Sequence, residues 1–330
     1  MLNIGLVGVG HLGKIHIQQL KELPQWNIAG FFDTSAEVSA QVKEDYDIKH
    51  YSNIEALLEN CDVVDIVCPT IFHYEYAYKS IIAGKHVFIE KPVTETVAQA
   101  TELKKMAQIH KVNIQVGHVE RYNPAYVSAA AHQLKPMFIE AHRLSEFNPR
   151  GTDVSVVLDL MIHDIDIVLH MVHSPVKHLS ASGVSIVSNN PDIANARVEF
   201  ENGCVANLTA SRISLQKMRK MRIFQKNAYI LIDFLNKITE IFSLEPYTDH
   251  PLPFTFVLDT GTEKKMVKME KPTIVAENAI KNELSAFHKS ITGGHVPDVS
   301  IEDGLKALEL AYMIIDQIRV REENFNLLPK

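Results

Sequence analysis

Glycine, cysteine and tryptophan are scarce in this chain of 330 residues, which contains 14 glycines, three cysteines and one tryptophan. Three scattered cysteines are too few for a disulfide framework, so the composition predicts a cytoplasmic protein in a reducing compartment. Charged residues interrupt every apolar run well before the ~18 residues of a transmembrane helix, and we expect no membrane span. A signal peptide is not expected either, because residues 1–6 have no basic region and no cleavage site.

The chain also has no excess of positive charge. It carries 40 acidic and 33 basic side chains, which gives a formal net charge of −7. Nucleic acids and anionic membrane surfaces attract positively charged proteins, so this balance argues against binding to either. With 46% hydrophobic and 22% charged residues, the chain is expected to fold into packed domains.

The sequence pattern changes near residue 118. Before this point, short β-branched runs alternate with amphipathic stretches, which predicts a parallel sheet connected by helices. After it, alternating runs follow one another through short turns such as Asn202-Gly203, which predicts an antiparallel sheet. At ~100–200 residues per domain we expect two domains. These are an α/β Rossmann dinucleotide-binding domain over residues 1–120, and an α+β domain with a large, mainly antiparallel sheet over residues 121–330.

The individual elements are predicted from the same patterns. In the first domain we expect strands at Asn3–Val7, Trp26–Phe32, Val63–Val67, His86–Ile89 and Asn113–Val116, and helices at Gly13–Glu22, Ser35–Glu44, Tyr74–Ala83 and Val97–His110. In the second we expect strands at Met137–Ser145, Lys177–Val187, Ala194–Phe200, Val205–Ile213, Arg219–Gln225 and Ala228–Asp233, and helices at Pro124–Leu134, Val154–Met171, Val275–Thr292 and Ile301–Val320.

The few glycines are concentrated at the start of the chain. The run Gly8-Val9-Gly10-His11-Leu12-Gly13 matches Gly-x-Gly-x-x-Gly, follows an expected strand and opens an expected helix. In this context the glycines allow a tight turn and a close approach of the backbone to a pyrophosphate, which lies at the helix N-terminus. We therefore expect a dinucleotide at this loop. A glycine-rich turn without a ligand is the alternative.

An acidic residue, Asp33, follows the second expected strand. An acid about 20 residues after such a loop accepts hydrogen bonds from a ribose 2′-hydroxyl, and its charge repels a 2′-phosphate. NAD is therefore favoured over NADP. Thr34 and Ser35 offer hydroxyl groups that can seat a phosphate, which leaves NADP as the alternative.

Three further segments carry a family resemblance. Cys68-Pro69-Thr70-Ile71-Phe72-His73 follows the third strand, Glu90-Lys91-Pro92 follows the fourth, and Asp159-Leu160-Met161-Ile162-His163 lies in the long helix of the second half. This set, in this order, resembles the Gfo/Idh/MocA family of glucose–fructose oxidoreductases and inositol dehydrogenases. The resemblance covers essentially the whole chain, and the Glu-Lys-Pro segment together with Asp-x-x-x-His is its specific part.

The chemistry of these residues agrees with a hydride-transfer reaction. Lys91 precedes a proline, which favours an extended loop at the carboxyl ends of the strands, where ligands bind. Asp159 and His163 are spaced i, i+4 on one helix face, and a histidine near neutrality can accept a hydroxyl proton. The resemblance implies that Lys91, Asp159 and His163 are the catalytic residues. A solvated lysine and a buried structural histidine are the alternatives.

The resemblance also implies the residues that bind the cofactor. These are Gly8, Val9, Gly10, His11, Leu12, Gly13, Asp33, Thr34, Ser35, Pro69, Thr70, His73, Glu90 and Lys91. The stripe Asp159, His163, Asp166 and His170 could be taken for a metal site, but no cysteine joins it and no His-Glu-x-x-His motif is present. We expect no metal.

The substrate is indicated by the segments Gly117–Ala125 and Asn148–Gly151 together with the expected helix Val154–Met171. They resemble the subgroup of the family that oxidises UDP-N-acetylglucosamine at the sugar 3-hydroxyl. Arg121 and Arg150 are candidates for the diphosphate, since guanidinium groups suit phosphate oxygens. The implied substrate-binding residues are Lys91, Arg121, Asn123, Arg150, Asp159 and His163.

Two other functions remain open, and so does the role of one basic run. A free-sugar or cyclitol dehydrogenase of the same family is one, and a non-catalytic NAD-binding sensor or scaffold is another. The basic run Arg212, Lys217, Arg219, Lys220 and Arg222 could bind substrate, or it could form a solvated or interface surface of the sheet. By resemblance, we expect a homodimer or homotetramer that pairs through the sheet of the second domain.

Overall fold

The computed structural model of the protein describes residues 1–148, 154–249 and 254–326. The chain divides into two compact units, of which the first comprises Met1–Val119 and Glu277–Glu309 and the second Glu120–Ala276 and Leu310–Lys330. The expected division had a single boundary at residue 120. The structure adds a late segment, residues 277–309, to the first unit.

The first unit contains a five-stranded parallel sheet in the order β2-β1-β3-β4-β5. Its strands are β1 (Leu2–Val7), β2 (Trp26–Phe32), β3 (Val63–Ile66), β4 (His86–Glu90) and β5 (Ile114–Gly117). The helices between them are α1 (His11–Lys21), α2 (Ala36–Tyr46), α3 (Ile54–Leu58), α4 (His73–Ile82) and α5 (Val97–His110). The α/β fold is confirmed, and the strand order changes direction between β1 and β3, which is where such sheets bind ligands.

A late helix, α8 (Ala279–Gly293), completes the core of the first unit. Its apolar side chains recur at helical spacing, and Leu284 and Phe287 are fully buried in one hydrophobic cluster with Trp26. The Trp26 indole N–H also donates to the Leu284 carbonyl oxygen at 3.2 Å. Gly294, with φ of 65°, caps the C-terminus of the helix.

The second unit is built on a nine-stranded sheet in the order β13-β14-β12-β11-β10-β6-β9-β8-β7. Its strands are β6 (Phe138–Leu144), β7 (Val176–Val184), β8 (Ile193–Phe200), β9 (Val205–Ser211), β10 (Met218–Gln225), β11 (Ala228–Asp233), β12 (Ile238–Pro246), β13 (Thr255–Asp259) and β14 (Lys264–Glu270). The pair β6–β9 is parallel and the other pairs are antiparallel. The large, mainly antiparallel sheet is confirmed.

Helices cover one face of this sheet. They are α6 (Pro124–Ala130), a π-helical turn at Val157–Met161, α7 (Ile162–Val172) and the later part of α9 (Ile301–Asn326). Along β6, β8 and β9, alternate residues are buried against the helices, and those between them are mostly half-buried or exposed. This pattern leaves the other face of the sheet without helical cover among the described residues.

Three strands, β12, β13 and β14, have no counterpart among the expected elements. On β12 one of the two buried positions is Thr239, and on β13 none of the residues is buried, so neither strand shows the apolar alternation that predicts a half-buried strand. The helix expected from Val154 begins instead with the π-helical turn at Val157. In the described part of the chain, every helix is too short or too polar to span a bilayer.

Candidate active site

A cavity of about 450 Å³ lies at the carboxyl ends of β1, β2 and β3 in the first unit. It is lined by Val7, Gly8, Gly10, Phe32, Asp33, Thr34, Val38, Val67, Cys68, Pro69, Phe72 and Tyr76. Several residues predicted to bind the cofactor therefore share one cavity. These are Gly8, Gly10, Asp33, Thr34 and Pro69.

The three glycines of the phosphate loop have different surroundings. Gly8 has a φ of +88°, and a Cβ at this position would lie 2.7 Å from the Cys68 backbone. A Cβ on Gly13 would overlap the carbonyl oxygen of Gly8. At Gly10, by contrast, no atom lies within 4 Å of an added Cβ. Gly8 and Gly13 are thus required by the fold, whereas Gly10 leaves open the space that a pyrophosphate would approach.

Asp33 connects the phosphate loop to the start of α2. Its Oδ2 accepts the backbone N–H of Val9 at 2.8 Å, and its Oδ1 accepts that of Ser35 at 2.8 Å. The Ser35 hydroxyl caps α2 by accepting the N–H of Val38. Asp33 therefore places a carboxylate at the cavity wall. His11 and Leu12 lie in the first turn of α1, beyond the loop.

His73 connects the loops that follow β3 and β4. Its Nε2 lies 2.9 Å from the carbonyl oxygen of Cys68, and its Nδ1 lies 3.0 Å from that of Pro92. Burial lowers the pKa of His73, although both carbonyl groups favour the charged ring. Both ring nitrogens thus face the protein backbone, so His73 fixes two loops of the cavity region. Thr70 lies in the short turn that precedes it.

Lys91 and Glu90 stand at the end of β4. The Lys91 residue is half-buried, and its backbone N–H donates to Glu90 Oε2 at 3.1 Å. The Lys91–Pro92 peptide bond is cis. Glu90 is 9% exposed, and its carboxylate points back into the unit rather than towards solvent.

The Glu90 carboxylate belongs to a buried cluster that the sequence analysis did not identify. His16 Nδ1 lies 2.9 Å from Asp65 Oδ2, and its Nε2 lies 3.5 Å from Glu90 Oε1. Burial opposes the charged ring, but the two carboxylates outweigh it and raise the pKa of His16 to about 10. The sequence signal is a histidine on the buried face of α1 and an aspartate inside an otherwise apolar strand.

In the second unit, Asp159 and His163 lie on successive turns of one helical segment. Asp159 is in the π-helical turn at Val157–Met161, and His163 is in the first turn of α7. Both side chains are partly exposed. π-Helical turns are rare and are often found at functional sites, so this irregularity agrees with the expected role of the pair.

Arg121 is held by an ion pair within the second unit. Its Nε and one terminal nitrogen each donate to an Asp166 carboxylate oxygen at 2.7 Å, and its other terminal nitrogen contacts His170. The residue is 8% exposed. A diphosphate would have to compete with Asp166 for the same N–H groups, so the geometry supports a structural role instead of the expected phosphate contact.

Asn123 also makes structural contacts. Its side-chain oxygen caps α6 at Ala125, and its amide nitrogen donates to Glu120 and to the Phe234 carbonyl oxygen. These bonds occupy both ends of the side-chain amide, so it has little capacity left for a substrate. Arg150, the other expected phosphate ligand, lies outside the described residues.

The basic run does not converge on one pocket. Arg212 is buried and donates to the carbonyl oxygen of Val154. The four remaining cations form ion pairs with separate acids, namely Lys217 with Glu146, Arg219 with Glu120, Lys220 with Asp233 and Arg222 with Glu140. Within the described residues, no group of three histidine, cysteine or acidic side chains is arranged to hold a metal ion.

Comparison with known proteins identifies relatives over nearly the whole chain. Residues 2–118 match the oxidoreductase family with an NAD-binding Rossmann fold, and residues 123–230 match the GFO/IDH/MocA C-terminal domain. The UDP-N-acetylglucosamine 3-dehydrogenase of Acidithiobacillus ferrooxidans is 39% identical over 243 residues, which cover 73% of this chain and 77% of that protein. Its solved structure matches with a TM-score of 0.87 over 97% of this chain and 98% of that chain, at 32% identity.

Inositol dehydrogenases are more distant relatives. The myo-inositol 2-dehydrogenase of Thermotoga maritima is 23% identical, with 94% of each chain covered. The structure of scyllo-inositol dehydrogenase from Lactobacillus casei shares the fold, with a TM-score of 0.77 at 19% identity over 97% of each chain. Both halves of the chain match the same family, and the phosphate loop and Asp33 line one cavity of the first unit. The chain is therefore an oxidoreductase that belongs to the GFO/IDH/MocA family.

Proposed function

We propose that the protein is an NAD-dependent dehydrogenase that oxidises the 3-hydroxyl of UDP-N-acetylglucosamine or of a related UDP-amino sugar. The observation that carries this proposal is the 39% identity to the Acidithiobacillus ferrooxidans enzyme over 73% of the chain. The reaction breaks the carbinol C–H and O–H bonds of the sugar and forms a ketone. The carbon-bound hydrogen leaves as hydride, and the hydroxyl hydrogen leaves as a proton.

The cofactor preference rests on Asp33. When bound, NAD supplies the hydride acceptor. The Asp33 carboxylate lines the cavity and accepts two backbone N–H groups. Its negative charge would repel a 2′-phosphate bound beside it. We expect the protein to bind NADH more tightly than NADPH. Asp33→Asn is expected to reduce the difference between the two affinities, which quenching of protein fluorescence measures. Equal affinities for the wild-type protein would contradict the preference.

Each catalytic residue has a separate task. His163 accepts the hydroxyl proton, because a neutral imidazole is the side-chain base that operates near neutral pH. Asp159, one helical turn earlier, either holds the substrate or favours the protonated imidazole. Lys91 stabilises the negative charge that develops on the sugar oxygen, as a cation placed at a developing alkoxide does.

A cyclitol or free-sugar dehydrogenase is the second candidate. The inositol dehydrogenases among the relatives favour it. A free Arg121 would argue against this candidate, because inositol and glucose have no diphosphate for it to bind. This argument is weakened because Asp166 already binds the Arg121 guanidinium. The presence of both Lys91 and His163 favours either enzyme over a non-catalytic sensor.

The direct test is reduction of NAD by the purified protein with UDP-N-acetylglucosamine, UDP-N-acetylgalactosamine, myo-inositol and glucose. We expect NADH formation with a UDP-amino sugar, and we expect Lys91→Ala and His163→Ala to abolish it while each variant still binds NADH. Turnover of inositol or glucose alone would replace the proposed substrate with the second candidate. NADH binding without turnover of any of the four would favour the sensor.

A further inference from the structure

A buried charged cluster lies beside the lysine loop, and the proposed chemistry makes no use of it. His16, Asp65 and Glu90 come from α1, β3 and the end of β4, and their exposures are 0%, 0% and 9%. His16 Nδ1 is at hydrogen-bonding distance from Asp65, whereas Nε2 is 3.5 Å from Glu90, which is the distance of an ion pair rather than of a short hydrogen bond. Such a cluster is costly to bury unless its charges compensate one another.

The charges of the cluster stabilise one another. Burial favours the neutral form of Glu90, but His16 and Lys91 stabilise the carboxylate and lower its pKa below the ordinary value. Burial likewise disfavours a charged His16, and Asp65 and Glu90 reverse this effect. The result is an imidazolium between two carboxylates, and the positive charge of Lys91 also stabilises the Glu90 carboxylate.

The position of the Glu90 carboxylate depends on Gly117, the last residue of β5. A Cβ added to Gly117 would lie 2.8 Å from Glu90 Oε1, so the carboxylate occupies the space that any larger residue would fill. The second oxygen of the same carboxylate accepts the backbone N–H of Lys91 at 3.1 Å. One carboxylate therefore contacts His16, lies over Gly117 and fixes the first peptide group of the lysine loop.

We propose that His16 is a positioning residue, which holds the Glu90 carboxylate over Gly117 so that Glu90 in turn fixes the main chain of Lys91. His16 lies on α1, the helix that begins at the phosphate loop, whereas Lys91 follows β4. The contact therefore links the helix that faces the cofactor phosphates to the loop that carries the lysine. This inference rests on the proposed function, because it requires Lys91 to be a catalytic residue.

Replacing His16 by asparagine or by glutamine distinguishes the contact of the imidazole ring with Asp65 from its contact with Glu90. The side-chain nitrogen of asparagine lies close to the position of Nδ1, and that of glutamine lies close to the position of Nε2. His16→Asn therefore keeps a donor for Asp65 and loses the contact with Glu90, whereas His16→Gln keeps a donor that reaches Glu90. Gly117→Ala displaces the Glu90 carboxylate while every charge of the cluster is retained.

The experiment measures kcat, KM for NAD and the thermal midpoint of these three variants and of the wild type. We expect His16→Asn and Gly117→Ala to lower kcat by about 10–100-fold, since a misplaced catalytic group costs this much. His16→Gln is expected to keep kcat within about threefold of wild type, and KM for NAD is expected to change little in all three, because the loss falls on the chemical step. The proposal would be overturned if His16→Asn and His16→Gln lost kcat equally, or if kcat were unchanged in all three variants.

A second readout does not depend on turnover. The acylation rate of the Lys91 amine, measured by mass spectrometry relative to the exposed Lys105, reports the order of the lysine loop. We expect this ratio to rise in His16→Asn and Gly117→Ala and to stay at the wild-type value in His16→Gln. If the wild type oxidises none of the four substrates, the proposed function has failed, and this ratio still decides the positioning role. An identical ratio in all four proteins would refute it.

Discussion

The phosphate loop combines two requirements on glycine that a sequence pattern cannot separate. Gly8 and Gly13 are needed because a side chain there would strike the backbone of Cys68 or of Gly8. Gly10 has open space in the direction of a side chain. The packing of the chain therefore does not require a glycine at this position, and the proposed binding of a cofactor at the loop gives a reason for it.

Gly10→Ala is accordingly expected to weaken NADH binding by at least about tenfold, or ~1.4 kcal/mol, with the thermal midpoint nearly unchanged. Gly13→Ala, the matched substitution, is expected to destabilise the fold by about 1–3 kcal/mol through overpacking. Fluorescence titration with NADH and thermal unfolding measure the two effects. If Gly10→Ala binds NADH as the wild type does, the pyrophosphate does not lie at this residue.

The raised pKa of His16 predicts that the folded protein loses stability at alkaline pH. Its pKa is raised from 6.5 to about 10, so between these values the folded state binds a proton that the unfolded state has released. The stabilisation is complete below pH 6.5 and is lost as pH rises towards 10, by up to about 1.4 kcal/mol per pH unit. Urea unfolding of the wild type should therefore show a steeper loss of stability from pH 7 to pH 10 than that of His16→Gln.

The exposed His11 offers the control for this experiment, since His11→Gln leaves the buried cluster intact. The stability of this variant is expected to follow that of the wild type over the same pH range. Parallel curves for wild type and His16→Gln would show that His16 is not charged in the folded protein.

At the scale of elements, the first unit shows where sequence patterns are sufficient. The strands β1 and β3 are short and mostly apolar, and their positions follow from the pattern of apolar residues along the chain. The helix α8 was also expected, but its partner was not. The stripe that contains Leu284 and Phe287 specifies a buried face without specifying which core it joins, and only the fold shows that the core is that of Trp26.

The contribution of α8 to the stability of the first unit can be measured by replacing one of its aromatic side chains. Phe287 is fully buried, and its ring centroid lies 6.5 Å from that of Trp26 and 6.1 Å from that of Phe88. Phe287→Ala is expected to lower the free energy of unfolding by about 3–5 kcal/mol, as cavity-forming substitutions in a core do. Lys289→Ala, on the exposed side of the same helix, is expected to change it by less than about 0.5 kcal/mol. A loss below about 1 kcal/mol for Phe287→Ala would show that α8 does not stabilise the first core.

Local sequence patterns identified some residues of the candidate site, but not the partners of others. The phosphate loop, Asp33 and the Lys91 segment carry local patterns, and the structure places the first two at one cavity. The roles of Arg121 and Asn123 could not be read in this way, because their partners Asp166 and Phe234 are 45 and 111 residues away in the chain. Residue type suggests a phosphate ligand, but only the partner decides whether the guanidinium is available.

At the scale of the whole molecule, the nine-stranded sheet has a face without helical cover in the described part of the chain. A row of aromatic rings crosses it, from Phe138 to Phe224, Tyr229 and Phe242, with successive centroids 5.9, 5.0 and 5.6 Å apart. Exposed apolar patches of this kind mark interaction surfaces in soluble proteins. We propose that two or four copies of the chain assemble through this face.

A substitution at Phe224, which is 38% exposed, tests this assembly. Phe224→Lys places a charge in the aromatic row, and we expect it to shift the wild-type dimer or tetramer towards the 37.2 kDa monomer in sedimentation velocity, because a buried unpaired charge opposes association. Leu215→Lys is the matched control, since Leu215 is 96% exposed in the turn before β10 and its replacement is expected to leave the mass unchanged. A wild-type protein that sediments as a monomer at micromolar concentration would exclude assembly through this face, and an unaltered mass for Phe224→Lys would place the interface elsewhere.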